Sequence, residues 1–329
     1  MTEGRRPVAV TGVSGLLGGA LTRRLLRDGY PVRGLLRTPD AAWENQSGLA
    51  IVAGDLSDTH ALARLVKGAD TVFHIAAMYR SDGPWEEFAE TNWHGTERLL
   101  TTAAGAGVRR FVYCSTIGVH GSVAVSPGDE DAPLNPRDNY QRSKLHAEQA
   151  CRAAMGGDME IVILRPCGIY GPGDLRMLKM FRMLQRGVFI QIGSGEANFH
   201  PVYIDDLVEG FMLAMVVNGI DGETFIIGGA DYLPLKEYVA TAAAALPAPP
   251  PRLRLPYKPM ETAARLCETL CAPFGLQPPL HRRRLTFFKH NRAFSIERAR
   301  TRLGYSPRVA LPEGFRRTVA WYRDERLLP

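Results

Sequence analysis

No stretch of the 329 residues stays apolar long enough to cross a bilayer, and the opening MTEGRRPVAV lacks the apolar core and small-residue cleavage site of a secretory signal. The expectation is a soluble protein made in the cytoplasm. Cysteine is scarce, with five residues at 114, 151, 167, 267 and 271. An odd count in such a protein reads as reduced, mostly buried thiols. Cys267 and Cys271 stand four apart on an expected helix, but no histidine pair completes a zinc site, so no metal is assigned. The composition, 45% hydrophobic and 22% charged, leaves no room for disorder, collagen or a coiled coil. Basic residues interleaved with aromatics are also missing, as is any nucleic-acid reading module, although the net charge is +6. From about residue 250 onward basic residues outnumber acidic ones roughly three to one. That bias reads first as a solvated face, and second as attraction to an anionic cofactor, substrate or membrane surface.

What the chain does have is alternation. Short β-branched runs at Pro7–Thr11, Val32–Arg37, Ala50–Gly54, Thr71–Ile75, Arg110–Ser115 and Glu160–Arg165 alternate with amphipathic helical patterns, clearest at Leu16–Arg27 and Glu86–Ala104. Leu17, Leu21, Leu25 and Leu26 share a helical face while Arg23, Arg24 and Arg27 point elsewhere. Repeated strand–helix–strand units imply an α/β fold with a doubly wound parallel sheet of the Rossmann kind, covered on both faces. After Arg165 the rhythm breaks. Residues 1–170 read as a dinucleotide-binding domain, with 201–229 returning to its sheet, and 171–329 as a smaller, mostly helical C-terminal substrate cap.

Gly12-Val13-Ser14-Gly15-Leu16-Leu17-Gly18 follows the first strand and opens a helix. Such a loop supplies a tight turn, a close approach of pyrophosphate to the backbone, and amides at a helix N-terminus facing the anion. All of Gly12, Ser14, Gly15, Leu16, Leu17 and Gly18 except the intervening Val13 are assigned to cofactor contact. Arg37 ends the second strand, where an acid would hold the ribose hydroxyls of NAD and an arginine accommodates the extra phosphate of NADP. NADP(H) is therefore favoured over NAD(H). Asp55 and Leu56 end the third strand in a position to flank an adenine; Asp55 reads equally as a helix cap.

Tyr140 and Lys144 lie four apart at the start of an expected helix, which puts phenol and ammonium on one face. An ammonium beside a phenol favours phenolate, letting the tyrosine exchange a proton with a hydroxyl or carbonyl oxygen near neutral pH. A Tyr-x-x-x-Lys spacing is common by chance; downstream of a dinucleotide loop it becomes specific. The fifth strand ends at Ser115-Thr116, and a hydroxyl there can hydrogen-bond the reacting oxygen. Thr116 is the first choice and Ser115 the alternate.

Taken in order, Thr11-Gly-x-x-Gly-x-x-Gly18, Gly54-Asp55-Leu56, Phe73-His74-Ile75-Ala76-Ala77, Asn92-x-x-Gly-Thr96, Ser115-Thr116, Tyr140-x-x-x-Lys144, Arg165-Pro166, Tyr170-Gly171-Pro172 and Tyr203-Ile204-Asp205-Asp206 resemble the extended short-chain dehydrogenase/reductase superfamily, also called NAD-dependent epimerase/dehydratase. The resemblance covers essentially the whole chain. It implies a triad of Thr116, Tyr140 and Lys144. It also implies a cofactor groove that includes His74, Ala76, Ala77, Pro166 and Gly168, with Asn92 ordering the site and His74 structural rather than a base. A homodimer, formed through a bundle of the 86–104 and 140–155 helices, is implied as well.

Within that superfamily the chain resembles 3β-hydroxysteroid dehydrogenases and dihydroflavonol-type reductases, which make a net redox change on an apolar alcohol or ketone. Sugar-nucleotide epimerases and dehydratases, the alternative, carry an asparagine where Gly168 stands and commonly an arginine where this chain reads Asn198-Phe199-His200-Pro201. Losing those partners removes charge-assisted bonds to a diphosphate. Thr116 is followed by Ile117, not by the acid that dehydratases want. Met177, Met180, Phe181, Met183, Leu184, Met260, Leu266, Leu270, Phe274 and Leu276 offer flexible apolar side chains for a sterol-, terpenoid- or flavonoid-like substrate, or simply for core. Arg282–Arg284 are the place where a peripheral membrane contact would be sought. A non-catalytic redox sensor is a third reading, disfavoured because both Tyr140 and Lys144 are present.

Overall fold

The computed structural model describes residues 5–38, 40–79, 83–247, 253–274, 276, 278, 280, 285 and 288–329. Arg282–Arg284 therefore lie outside the described residues. The first half alternates as its pattern demands: β1 (Val8–Thr11), α1 (Leu16–Arg27), β2 (Val32–Leu36), α2 (Ala41–Glu44), β3 (Leu49–Ala53), α3 (Thr59–Val66) and β4 (Thr71–His74). There follow α4 (Trp85–Phe88), α5 (Gly95–Gly105), β5 (Arg110–Cys114), α6 (Asn139–Ala153) and β6 (Glu160–Pro166). Helix α1 occupies the expected residues. The pattern over 86–104 differs: a π-helical stretch, Ala89–His94, separates α4 from α5. Amphipathic spacing does not distinguish a wide turn from an ordinary one, and such turns concentrate at functional sites. Asp58 and Asp138 start α3 and α6 by accepting from the amides of Ala61 and Gln141.

Smaller elements follow: β7 (Gly168–Tyr170), α7 (Leu178–Gln185), β8 (Ile190–Ile192), β9 (Asn198–Phe199), β10 (Pro201–Tyr203) and α8 (Ile204–Val216). After these come β11 (Thr224–Ile227), β12 (Leu233–Pro234), α9 (Leu235–Ala244), β13 (Leu253–Leu255), α10 (Tyr257–Cys271) and α11 (Leu311–Asp324).

Seven strands form one sheet in the order β11-β6-β5-β4-β1-β2-β3, with every neighbouring pair parallel. The chain runs outward through β1, β2 and β3, then returns to place β4 on the other side of β1. That reversal puts a topological switch point at the carboxyl ends of β1 and β4, the usual ligand position in such sheets. Helices α1 and α8 cover one face and α3, α5 and α6 the other. Three two-stranded sheets, β7–β10, β9–β12 and β8–β13, lie beyond it. The core continues outward through Phe315 of α11, whose ring meets Tyr170, Phe181 and Tyr238 at 5.2, 5.6 and 5.1 Å between centroids.

One part of the expected apolar lining is placed elsewhere. Phe181 and Leu184 are core, but Leu266, Leu270, Phe274 and Leu276 are 60–77% exposed, and α10 buries only Ala264. These four side chains therefore lie outside the packed core of the described residues.

Candidate active site

The glycine loop begins where β1 ends. Gly12 has φ +78°, and a Cβ there would lie 2.8 Å from the Ala76 amide nitrogen. A Cβ on Gly18 would lie 2.0 Å from the Gly12 carbonyl oxygen, so α1 packs on the loop only because that position has no side chain. Ser14 and Gly15 are exposed and Leu16 is half-buried, while the Leu17 side chain turns into the core. Leu17 can therefore meet a cofactor through its backbone alone. Arg37 is exposed at the tip of β2, close enough for its charge to act on Asp55. Asp55 accepts from the Ser57 amide and hydroxyl, which hold its carboxyl below the usual range. The cap of α3 is Asp58, not Asp55. Leu56 is buried against Gly95.

Below the loop lies a buried relay. The Thr11 hydroxyl stands 2.8 Å from His74 Nδ1, and the Thr96 hydroxyl 2.8 Å from Nε2. Thr96 donates to the Asn92 carbonyl at 2.6 Å, so it accepts from Nε2–H; Nδ1 then accepts from Thr11. The amides of Ile75 and Ala76 donate to the same Thr11 oxygen, each at 3.0 Å. Burial first, and then the charge of Lys144, lowers the His74 pKa to about 3. A neutral imidazole with both nitrogens engaged braces the loop and has no proton to trade. Asn92, aimed inward by the π-helix, accepts from the Met78 amide at 2.7 Å and donates to the Met78 carbonyl and the Ser143 hydroxyl. It thereby ties the segment holding Ala76 and Ala77 to α6.

On α6, Tyr140 is half-buried, its ring edge-on to Tyr79 at 4.9 Å. Burial is the largest influence on its phenol and pushes the pKa up, with Arg176 the cation acting against it. Lys144 is buried, with its ammonium 4.2 Å from the centre of the Tyr113 ring. Burial lowers its pKa to about 8. Desolvation thus governs the phenol, and the cation acting most on it is Arg176 rather than the Lys144 expected from the sequence. Thr116 is half-buried, and its oxygen accepts from the Gly118 amide at 3.0 Å, leaving the O–H available as a donor. Ser115 is buried and donates to Glu148, so the alternate hydroxyl points into the protein.

Gly168 sits against the Phe199 ring: a Cβ there would lie 2.2 Å from it. The pairing of β9 with β12 and a 4.8 Å edge contact with Tyr238 fix that ring. Pro166, at the end of β6, is buried. Among the described residues no three His, Cys, Asp or Glu side chains gather to hold a metal, and no helix is long and apolar enough to cross a membrane.

Residues 8–228 match the NAD dependent epimerase/dehydratase family. The chain belongs to that family. It is 32% identical over 336 residues to the 3 beta-hydroxysteroid dehydrogenase/Delta 5-->4-isomerase of Mycobacterium tuberculosis, covering 96% of this chain and 90% of that one. It is 30% identical over 326 residues to the 2-alkyl-3-oxoalkanoate reductase of Stenotrophomonas maltophilia, covering 95% and 98%. A solved dTDP-glucose 4,6-dehydratase from Streptomyces venezuelae, with NAD and TYD bound, superposes with a TM-score of 0.77 at 28% identity, covering 97% and 98%. The family member described here is an NAD(P)-dependent enzyme of this oxidoreductase group, and its fold is that of extended short-chain dehydrogenases.

Reading the sequence missed three groups, two of them acting on Tyr140 and one further along its helix. Arg176 is gripped by Asp174, Nε to Oδ1 at 2.6 Å, and donates to the Ile169 carbonyl at 2.8 Å. Tyr79 follows the Ala76-Ala77 segment, and Glu148 extends the Tyr140–Lys144 face by one further turn. Only the last had a legible signal: an acid at a position that helical spacing buries.

Proposed function

We propose that this protein is an NADP(H)-dependent oxidoreductase interconverting a secondary alcohol and a ketone on an apolar, sterol-, terpenoid- or flavonoid-like small molecule. The observation that carries this reading is the Phe199 ring lying on Gly168. An asparagine side chain at 168 would collide with the ring, so an apolar wall occupies the place where a diphosphate would need a polar partner. The 3 beta-hydroxysteroid dehydrogenase/Delta 5-->4-isomerase and the 2-alkyl-3-oxoalkanoate reductase among its relatives support the same direction. A feature that would suit a sugar nucleotide is Arg176, but its guanidinium is already paired with Asp174.

The loop of Gly12, Ser14, Gly15, Leu16 and Gly18 would hold the pyrophosphate, with Arg37 beside the 2′-phosphate. When bound, the nicotinamide supplies or takes up the hydride. Thr116 donates a hydrogen bond to the substrate oxygen, fixing it opposite Tyr140. With its pKa pushed up, Tyr140 is protonated at neutral pH and donates its proton to a carbonyl oxygen. Lys144 holds its cation on the same helix face and stabilises the phenolate left behind. The half-buried Trp85, Trp93 and His146 stack along α4, the π-helix and α6, with Arg142 over Trp85, and support pairing of two chains through this face. The test is NADPH oxidation with apolar ketones and with sugar nucleotides, in wild type and Tyr140→Phe. Turnover of a ketone that Tyr140→Phe abolishes supports the reading, and conversion of sugar nucleotides alone refutes it.

A further inference from the structure

Beneath the proposed triad is a buried ionic cluster with no part in the chemistry above. Glu148 follows Lys144 by one helical turn. Its side chain is 0% exposed, and that of Arg165, on β6, is 1% exposed. They meet side-on, with Arg165 Nε donating to Oε1 at 2.9 Å and Nη2 to Oε2 at 2.7 Å. Ser115 donates its hydroxyl to Oε1. Arg165 Nη1 donates to the Glu130 carbonyl at 2.9 Å and lies 3.0 Å from His120 Nε2. A buried ion pair rarely stabilises a fold more than well-packed apolar residues would, so stability alone is a poor reason for this one.

We propose that Glu148, clamped by Arg165 and Ser115, is a positioning residue that keeps Lys144 charged on the helix face that carries Tyr140. The proposal rests on Lys144 being the ammonium of the triad. The groups whose charge bears on Lys144 come from three elements: His74 on β4, Cys114 on β5, and Cys151 and Glu148 on α6. The Tyr113 ring, also on β5, lies beneath its ammonium. Burial pushes the Tyr113 phenol and both thiols up and keeps His74 neutral, so Glu148 is the anion of this set. Its carboxylate opposes the burial that draws Lys144 down to about 8. Arg165 fixes that carboxylate in place, while Ser115, next to Thr116 in the chain, links it to the end of β5.

The chain has six lysines, few enough to follow Lys144 directly by ¹³C NMR of the lysine Cε carbons, with Lys144→Met assigning its signal. Glu148→Gln leaves Arg165 buried without a counter-charge, so the informative variant is Glu148→Gln/Arg165→Met, which removes both charges. In that protein, folded by circular dichroism, the Lys144 midpoint should drop by about one pH unit. Ketone reduction at pH 8 should lose about fivefold in kcat with KM unchanged. A folded double variant with the wild-type midpoint overturns the proposal. Wild-type activity in Lys144→Met would overturn the triad reading itself, an outcome separable from the first.

Discussion

Under the glycine loop, Thr11, His74, Thr96 and Asn92 form a buried relay with no charge; under the proposed catalytic face, Ser115, Glu148, Arg165 and His120 form one built on an ion pair. Both join strand ends to helices, and both hold a histidine neutral, at about 3 for His74 and about 4 for His120. The difference follows from what lies above each. In the proposed mechanism the first presents backbone amides without movement, which neutral hydrogen bonds accomplish. In the same proposal the second supports groups that change protonation, where a fixed carboxylate alters the balance and a hydroxyl does not.

Breaking the ionic cluster on one side should have the largest effect. Glu148→Leu strands the Arg165 guanidinium and should cost about 3–5 kcal/mol in urea unfolding. In the neutral relay, Thr96→Val leaves His74 Nε2 and the Asn92 carbonyl short of a partner and should cost about 1–3 kcal/mol. Equal losses would erase the distinction between the clusters. The pH dependence sharpens it. Both histidines have folded pKa values below the unfolded 6.5, so the unfolded state binds more protons between those limits. Their contribution is complete above pH 6.5 and is lost as pH falls through about 4 and then 3. Arg165 is the main charge lowering His120 and does not act on His74, so in Glu148→Gln/Arg165→Met the His120 midpoint should rise by a fraction of a unit while that of His74 stays put, as read by NMR titration. The smallest effect lies outside both clusters. Arg37→Asp should move the ratio of NADPH to NADH affinity by about tenfold towards NADH, measured by fluorescence titration; an unchanged ratio removes Arg37 from that role.

The half that carries the glycine loop was legible in the sequence because its signals are local. Helix α1 reads from the period of its leucines, the glycine loop from its place between strand and helix, and the strands to within a residue or two at each end. The π-helix was not legible, because the residues Ala89–His94 suit an α-helix equally and only Asn92's bonds to Met78 and Ser143 explain the wide turn. Gly168 read as a missing asparagine; its positive reason, the Phe199 ring, depends on a contact across 31 positions of chain. The outward-facing Leu266 and Leu270 show the limit most clearly, since helical spacing groups apolar residues on a face without saying what the face meets. Of the candidate triad, type and spacing picked out Tyr140 and Lys144. Thr116 was preferred over Ser115 from its place in the sequence, and the hydrogen bond from Ser115 to Glu148 adds a physical reason for that preference.

The most direct test of the account is NADPH absorbance against a panel of sterol-like, terpenoid and flavonoid ketones, with sugar nucleotides in parallel. Stoichiometric loss of NADPH with an apolar ketone, and none with sugar nucleotides, is the predicted result. Conversion of a sugar nucleotide with no net loss of NADPH, and no turnover of any ketone, would contradict it.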